Sequence, residues 1–198
     1  MTLSPSLRKL VLFVHLTSSL GWVGAVIAYI ALGITASTRH DSETIRAAWI
    51  AMELIGWWVI VPLALASLAS GLVISLGTSW GLFRHYWVLI SLGLTVLATV
   101  ILVLHMPSVS SSASIAREAD GARLIQLGGD LAHAVGGLAV LLTVSVLNIY
   151  KPQGLTPYGW RKQQEGASTT SRTDGRGRTL ANVRLVVSFE PRIRRRPL

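Results

Sequence analysis

Four histidines lie within or beside the most apolar stretches of this sequence, at positions 15, 85, 105 and 133. Imidazole nitrogens are common ligands of b-type haem iron, copper and zinc. Histidines on neighbouring helices hold such groups inside helical bundles, and ionisable side chains are rare in membrane spans unless they serve a function. The positions predict two pairs near opposite membrane faces, His15 with His85 and His105 with His133. Each pair is a candidate cofactor site.

Other candidate ligands stand at a depth similar to that of the second histidine pair. A set of thioethers and imidazoles favours copper, whereas carboxylates with imidazoles favour harder ions. The side chains concerned are those of Met52, Glu53, Met106 and Asp130. The sequence thus indicates haem b or copper as possible cofactors, with a metal site around His105 and His133.

Each of these residues also has a purely structural interpretation. His15 could bond to a nearby serine or to a neighbouring helix, and Glu53 could pair with Arg46 or reach the membrane surface. His85 and His105 stand at predicted span ends, where an imidazole can face lipid headgroups at little cost. A third alternative is a proton or ion pathway past Glu53, as in a small transporter or channel.

Long apolar stretches must position these side chains. The chain has 198 residues, of which 51% are hydrophobic and only 14% charged, and its mean hydropathy is +0.54. At about 1.5 Å per residue, each predicted span reaches the roughly 30 Å of a bilayer's hydrocarbon core. The spans are residues 10–34, 48–76, 86–106 and 130–150. The sequence therefore predicts an all-α polytopic membrane protein, a four-transmembrane-helix antiparallel bundle with a disordered C-terminal tail.

Prolines indicate where these helices bend or end. Pro62 removes a backbone hydrogen bond within the second span, so we expect a kink there. Pro107 is expected to end the third span, and residues 108–129 to include an amphipathic helix at the membrane surface. The fourth span is expected to end at Lys151 and Pro152.

Charge divides the chain into two parts. Residues 1–150 carry seven basic and six acidic side chains, whereas residues 151–198 carry eleven basic and three acidic ones. We therefore predict a membrane domain over residues 1–162 and a basic, disordered tail over residues 163–198. The distribution of lysine and arginine favours a multi-pass plasma-membrane protein with cytoplasmic N- and C-termini.

Several function classes find no support in the sequence. The chain lacks cysteine, which excludes disulfides, thiolate metal sites and covalent haem attachment. It also lacks a phosphate loop and a zinc-protease motif. We expect a non-enzymatic accessory or interaction subunit with no nucleic-acid partner. The bilayer is its first partner, and small residues in the spans predict a homo-oligomer or a second membrane protein as another.

A family resemblance accompanies these patterns. The residues that carry it are His15 with GWVG (21–24), Glu53 with Trp57, Trp58 and Pro62, GTSWGLFRHYWV (77–88), His105, His133 with Gly136 and Gly137, and KPQGLTPYG (151–159). With these residues the chain resembles a bacterial family of integral membrane proteins of unknown function and, more distantly, the four-helix membrane domain of copper-resistance D-type proteins. The resemblance covers about residues 7–162 and implies a four-span fold. It brings no assigned reaction, substrate or ligand, and the link to copper rests on similarity of fold.

Overall fold

The computed structural model describes residues 4–77, 82–83, 85–119, 121–152 and 154–164. The chain divides into one unit that ends at Trp160 and a second that begins at Arg161. In the second unit, residues 161–164 are helical. The predicted disordered tail lies outside the described residues from position 165 onward.

Four helices are long and apolar enough to cross a membrane, which confirms the predicted fold class. Within the described residues the fold is helical, and no strand forms beyond an isolated bridge between His85 and Leu155. The elements are α1 (Pro5–Thr38), α2 (Ser42–Ile55), a π-helical segment (Gly56–Ile60), α3 (Val61–Gly77), α4 (Tyr86–Glu118), α5 (Gly121–Gln126) and α6 (Leu131–Tyr150). The second span consists of α2, the π segment and α3 in one continuous run.

Local side-chain chemistry sets several of the helix ends. Ser4 accepts a hydrogen bond from the Leu7 amide at the start of α1, and Asp41 accepts one of 3.0 Å from the Thr44 amide at the start of α2. Such caps satisfy amides that have no partner within the helix. Lys151 adopts a left-handed conformation with φ of 43° and ends α6 where the sequence predicts.

The irregularity predicted at Pro62 takes the form of the π-helical segment that precedes it. The amide of Val61 donates to the carbonyl of Gly56, five residues earlier, instead of four. Proline has no amide hydrogen, and its ring crowds the carbonyl four residues earlier, that of Trp58. A wider turn at this point relieves that crowding.

The prediction that Pro107 ends the third span is wrong, because α4 continues through Pro107 to Glu118. The expected surface helix over residues 108–129 is therefore replaced by this extension and the short helix α5. A proline inside a helix costs about 3 kcal/mol, so other contacts must offset that loss. Packing supplies them, because Val109, Ala113 and Ala116 on the extension are almost completely buried.

A core of buried side chains lies at the end of the bundle where α2, α5 and the α4 extension meet. Arg46 of α2 fixes the end of α4 by donating from Nε to the Ala116 carbonyl at 2.9 Å and from Nη2 to the Ala119 carbonyl at 3.1 Å. The side chains of this core share an exposure of 4% or less: Ile45, Ala48, Trp49, Met52, Val109, Ala113, Ala116 and Leu124. The same connected core includes Trp22, Tyr29 and Met106, which line the cleft at the candidate ligands.

Candidate metal centre

Side chains from three helices meet at the carboxylate of Asp130. His105 Nε2 on α4 lies 2.6 Å from Asp130 Oδ2, and the hydroxyl of Tyr29 on α1 donates to the same oxygen at 3.0 Å. His133 Nδ1, one turn into α6, lies 3.5 Å from Asp130 Oδ1. One carboxylate therefore connects α1, α4 and the start of α6.

The backbone brings α6 unusually close to α1 at this point. A Cβ atom on Gly129 would stand 2.1 Å from the carbonyl oxygen of Gly33, so only glycine fits there. Asp130 follows directly, at the N-cap position of α6. Its carboxylate thus lies at the positive end of the helix dipole, and the close contact holds it against Tyr29.

The two imidazole rings of His105 and His133 are stacked. Their centroids lie 3.8 Å apart, and their planes make an angle of 17°. Axial ligands of a haem point nitrogens at each other from opposite faces of the porphyrin, but these rings lie face to face and each directs a nitrogen toward Asp130. This arrangement does not fit a haem held between His105 and His133.

A single metal ion fits the same side chains better. One ligand atom from each of His105, Asp130 and His133 lies within 4.8 Å of the other two. Nitrogen and oxygen ligands of zinc stand about 2.0–2.2 Å from the ion, which places two of them roughly 3.0–3.5 Å apart. The His105–Asp130 contact would have to widen slightly, with the ion replacing the shared proton.

Access to the site differs among the three side chains. The side chains of His105 and Asp130 are 20% and 12% exposed, whereas that of His133 is 55% exposed. The site therefore combines a buried half, fixed by helix packing, with an open half at His133. An open half leaves room for water or another ligand on the ion.

A cleft of about 370 Å³ leads away from this cluster between α1, α4 and α6. His105, Asp130, His133 and Tyr29 lie at one end, and the other lining residues are almost all apolar. Gly137 belongs to this lining, and a Cβ there would meet no atom within 4 Å. The cluster is therefore the polar end of an otherwise apolar cavity.

The structure gives His15 a partner on another helix. Its Nδ1 lies 3.1 Å from the Ser67 carbonyl oxygen and 3.2 Å from Ser70 Oγ, both on α3. A Cβ on Gly71 would stand 3.0 Å from the His15 ring, so the glycine makes space for the imidazole. These contacts favour the structural interpretation of His15 as a link between α1 and α3.

His85 stands at the N-cap position of α4. Its backbone pairs with Leu155 in an isolated bridge, and the next amide, that of Tyr86, donates to the Gly154 carbonyl at 3.3 Å. His85 therefore lies where the chain after α6 returns to the start of α4. The predicted pairing of His15 with His85 in a haem site gains no support from these contacts.

The other predicted ligands do not join the cluster as a set. Glu53 forms an ion pair with Arg117, whereas Arg46, one partner that the sequence left open for Glu53, binds the end of α4. Met52 is completely buried in the core around α2. Met106 borders the cleft, but its thioether packs against Gly56, in the space that a Cβ at Gly56 would need.

No protein-family model, curated protein or solved structure matches this chain. The resemblances drawn from its motifs therefore stay predictions. Any functional assignment has to start from the side chains around Asp130.

The sequence did not single out Tyr29, and it named Trp22 only within the motif GWVG (21–24), without a role in the site. Tyr29 binds Asp130, and Trp22, only 3% exposed, lines the cleft two helical turns earlier. Both belong to the buried stripe of α1, which also includes Ser18, Val26 and Ala36. The seven-residue spacing of Trp22, Tyr29 and Ala36 was the available signal, since it places all three on one face.

Proposed function

We propose that this integral membrane protein binds one divalent first-row transition-metal ion between His105, Asp130 and His133. The observation that carries the proposal is the convergence of three ligand atoms within 4.8 Å of one another, near one end of the bundle. Two imidazoles and a carboxylate are a common ligand set for zinc, copper(II) and iron(II). The resemblance to copper-resistance proteins makes copper the first ion to test.

The environment of Met106 bears on the oxidation state of a bound copper ion. Thioethers select copper(I), whereas imidazole with carboxylate suits divalent ions. The thioether of Met106 is directed to Gly56 and the residue is 1% exposed, which leaves the cluster itself with nitrogen and oxygen ligands. Copper(II) or zinc therefore fits the site better than copper(I).

Tyr29 has a positioning role in this proposal. Its hydroxyl donates to Asp130 Oδ2, so it orients the carboxylate in the way that hydrogen-bonded neighbours orient metal ligands elsewhere. Tyr29 lies on α1 while the ligands lie on α4 and at the start of α6. Metal affinity would thus depend on the packing of α1.

The proposal places the site near the outer face of the plasma membrane, with both chain termini in the cytoplasm. The support is the excess of basic residues on the opposite side of the spans and in the tail. A site near the outer face would meet metal ions from outside the cytoplasm. No enzymatic step is required, so the role as an accessory subunit is compatible with metal binding.

The test is metal loading of the purified, chelator-treated protein in detergent. We expect about one equivalent of Cu²⁺ or Zn²⁺ to be retained after gel filtration, because one ion saturates one set of ligands. His133→Ala is the most informative variant, since this side chain is half exposed and contributes little to the core. It should lower the affinity at least tenfold, as should His105→Ala.

The matched control is His40→Ala, which removes an exposed histidine from the loop between α1 and α2. It should bind the metal as the unchanged protein does. Failure of the unchanged protein to retain either ion would refute the proposal. Equal metal retention by the His133→Ala and His40→Ala variants would refute it as well, because binding would then lie elsewhere.

A further inference from the structure

Metal binding would involve only the polar end of the cleft beside the metal cluster and would leave its apolar length unoccupied. It follows α4 from His105 to Leu97 and α6 from His133 to Leu141. Eight residues of helix correspond to about 12 Å in each case. The cleft is thus a slot that starts at the polar cluster and runs along two helices into the apolar part of the bundle.

The slot is open to the side of the bundle. Leu97 and Ile101 line it, and both are about half exposed on α4, at 53% and 48%. In a four-span membrane protein such side chains face lipid, not water. A molecule dissolved in the bilayer could therefore enter the slot laterally between α4 and α6.

The polar end is suited to an oxygen-bearing headgroup. Asp130 Oδ2 already binds two donors, His105 and Tyr29, whereas His133 is half exposed with only a 3.5 Å contact to Asp130. When its Nδ1 donates to Asp130, the opposite nitrogen, Nε2, is a hydrogen-bond acceptor. In the other neutral tautomer the proton is on Nε2, and this nitrogen is then a donor. His133 can thus bind either a hydroxyl or a carbonyl group.

The walls near this end suit a flat ring. The imidazoles of His105 and His133, which stack on each other, and the indole of Trp22 all line the slot. Gly136 and Gly137 form a wall without side chains, where a Cβ would meet nothing within 4 Å. An acyl chain would leave this polar, aromatic end without hydrogen-bond partners, which is unfavourable in an apolar medium.

We propose that the cleft binds a membrane-soluble quinone or quinol, with its ring oxygen at His133 and the first part of its apolar tail between α4 and α6. The class follows from the combination of a hydrogen-bonding end, a lining of aromatic rings and glycines beside it, and an apolar continuation open to lipid. A volume of about 370 Å³ holds the ring and the start of the tail, while the remainder of the tail lies in the bilayer. The proposal concerns binding only, and it goes beyond the metal site, although the two share His133.

The experiment measures binding of a decyl-substituted benzoquinone to the metal-free protein in lipid nanodiscs. Quinones quench indole fluorescence, so Trp22 in the slot is a built-in reporter. We expect saturable quenching with the unchanged protein. Trp22→Phe should remove most of the saturable component, whereas the indoles of other tryptophans report only unspecific quenching by quinone in the lipid.

Filling the slot provides the decisive variant. Gly137→Leu should weaken quinone binding at least tenfold, because the new side chain would extend into the cleft from a position where a Cβ meets no atom within 4 Å. Gly93→Leu is the matched control: Gly93 is an exposed glycine of α4 with open space around it, and it does not line the cleft. This control should bind the quinone within about twofold of the unchanged protein.

Decylbenzene, which carries the same tail on a planar six-membered ring but has no oxygen, is the competitor. It should compete at least tenfold more weakly than the quinone. Equal competition would overturn the proposal and identify the cleft as a general hydrocarbon pocket. Unaltered quinone binding in the Gly137→Leu variant, or no saturable binding by the unchanged protein, would also overturn it.

Metal loading of the same samples separates this inference from the metal proposal. Gly137→Leu leaves the three ligands in place and should retain Cu²⁺ or Zn²⁺, which also shows that it is folded. Quinone binding without metal retention would contradict the metal proposal alone. Metal retention without saturable quinone binding would contradict the quinone proposal alone.

Discussion

Asp130 Oδ2 lies 2.6 Å from His105 Nε2, although 25 residues separate them in the chain. This contact joins the middle of α4 to the residue that starts α6, and a third helix is added through Tyr29. In an apolar medium an unsatisfied carboxylate is costly. The contact is therefore a structural link between helices as well as a candidate part of a metal site.

Removing this link should destabilise the bundle. We expect Asp130→Ala to lower the free energy of unfolding by about 1–3 kcal/mol, because two donors lose their acceptor. Tyr29→Phe should cost less, about 0.5–1.5 kcal/mol, since it removes one interhelical hydrogen bond. Unfolding by SDS in mixed micelles measures both values. Tyr150→Phe, at an exposed tyrosine on α6, is the control and should be near neutral.

A double-mutant cycle between Tyr29→Phe and Asp130→Ala isolates the direct contact. If the hydrogen bond is formed in the bilayer, the two effects should be less than additive, with a coupling energy of about 0.5–1.5 kcal/mol. Strict additivity would contradict the assignment of Tyr29 to the cluster.

The close approach of α6 to α1 predicts that alanine substitutions at two glycines have very different effects on stability. Gly129→Ala should cost about 2 kcal/mol or more, because its Cβ would collide with the Gly33 carbonyl, a backbone atom that cannot move away easily. Gly136→Ala should be neutral or stabilising by about 0.5–1 kcal/mol, since alanine favours the helix and the space is open. The same unfolding assay compares them. Equal stability of the two variants would contradict the predicted approach of the helices.

Arg46 should protect the backbone amides at the end of the α4 extension from hydrogen exchange. Arg46→Ala removes two charged donors from the carbonyls of Ala116 and Ala119, and each such bond contributes about 1.5–3 kcal/mol. We expect faster amide hydrogen exchange over residues 113–119, with little change in α1. Arg46→Lys should restore only part of the protection, because lysine lacks the fixed fork of donors.

The control for this prediction is Arg39→Ala, which removes an exposed arginine at the end of α1. Its exchange pattern over residues 113–119 should match that of the unchanged protein. Unchanged exchange in Arg46→Ala would mean that packing alone holds the extension in place.

The cap of α2 predicts a pH dependence at low pH. Hydrogen bonds from the Thr44 hydroxyl and amide hold the pKa of Asp41 below its usual value. A lowered pKa in the folded state means that the contribution to stability is fully present above the usual pKa of about 3.9 and is lost as the pH falls through the lowered pKa. The loss should therefore occur below about pH 4.

The amide chemical shift of Thr44 measures this transition directly. We expect a midpoint below the usual pKa of an aspartate, and no transition in Asp41→Asn, which keeps an accepting oxygen but cannot titrate. A midpoint at or above about 3.9 would contradict the cap assignment.

The number and approximate positions of the spans follow from the sequence because solvation by lipid is a local property. A run of some twenty apolar residues becomes a membrane helix whatever surrounds it. The fourth span, predicted at 130–150, is found as Leu131–Tyr150, and the others contain the predicted ranges. The third span shows the limit of local reasoning, because the contacts of Val109, Ala113 and Ala116 with distant residues outweigh the local effect of Pro107.

For the candidate site, too, the sequence predicted the local features but not the contacts between distant residues. The sequence placed His105, Asp130 and His133 at a common depth, because depth follows from position along a helix. The sequence did not predict that Glu53 pairs with Arg117 instead of joining the cluster. It also gave no indication that Tyr29 binds Asp130. Depth says nothing about which way a helix is turned, and an interhelical pair depends on that rotation.

By itself, then, the sequence determined that four apolar helices form and how far along each one the ionisable residues lie. The tertiary structure decided which of these residues meet, since helix rotation is set by close contacts such as that of Gly129 with Gly33. Those contacts arise between segments about a hundred residues apart in the chain. They gather His105, Asp130 and His133 at one end of a cleft because packing of side chains, unlike hydropathy, is a property of the whole bundle.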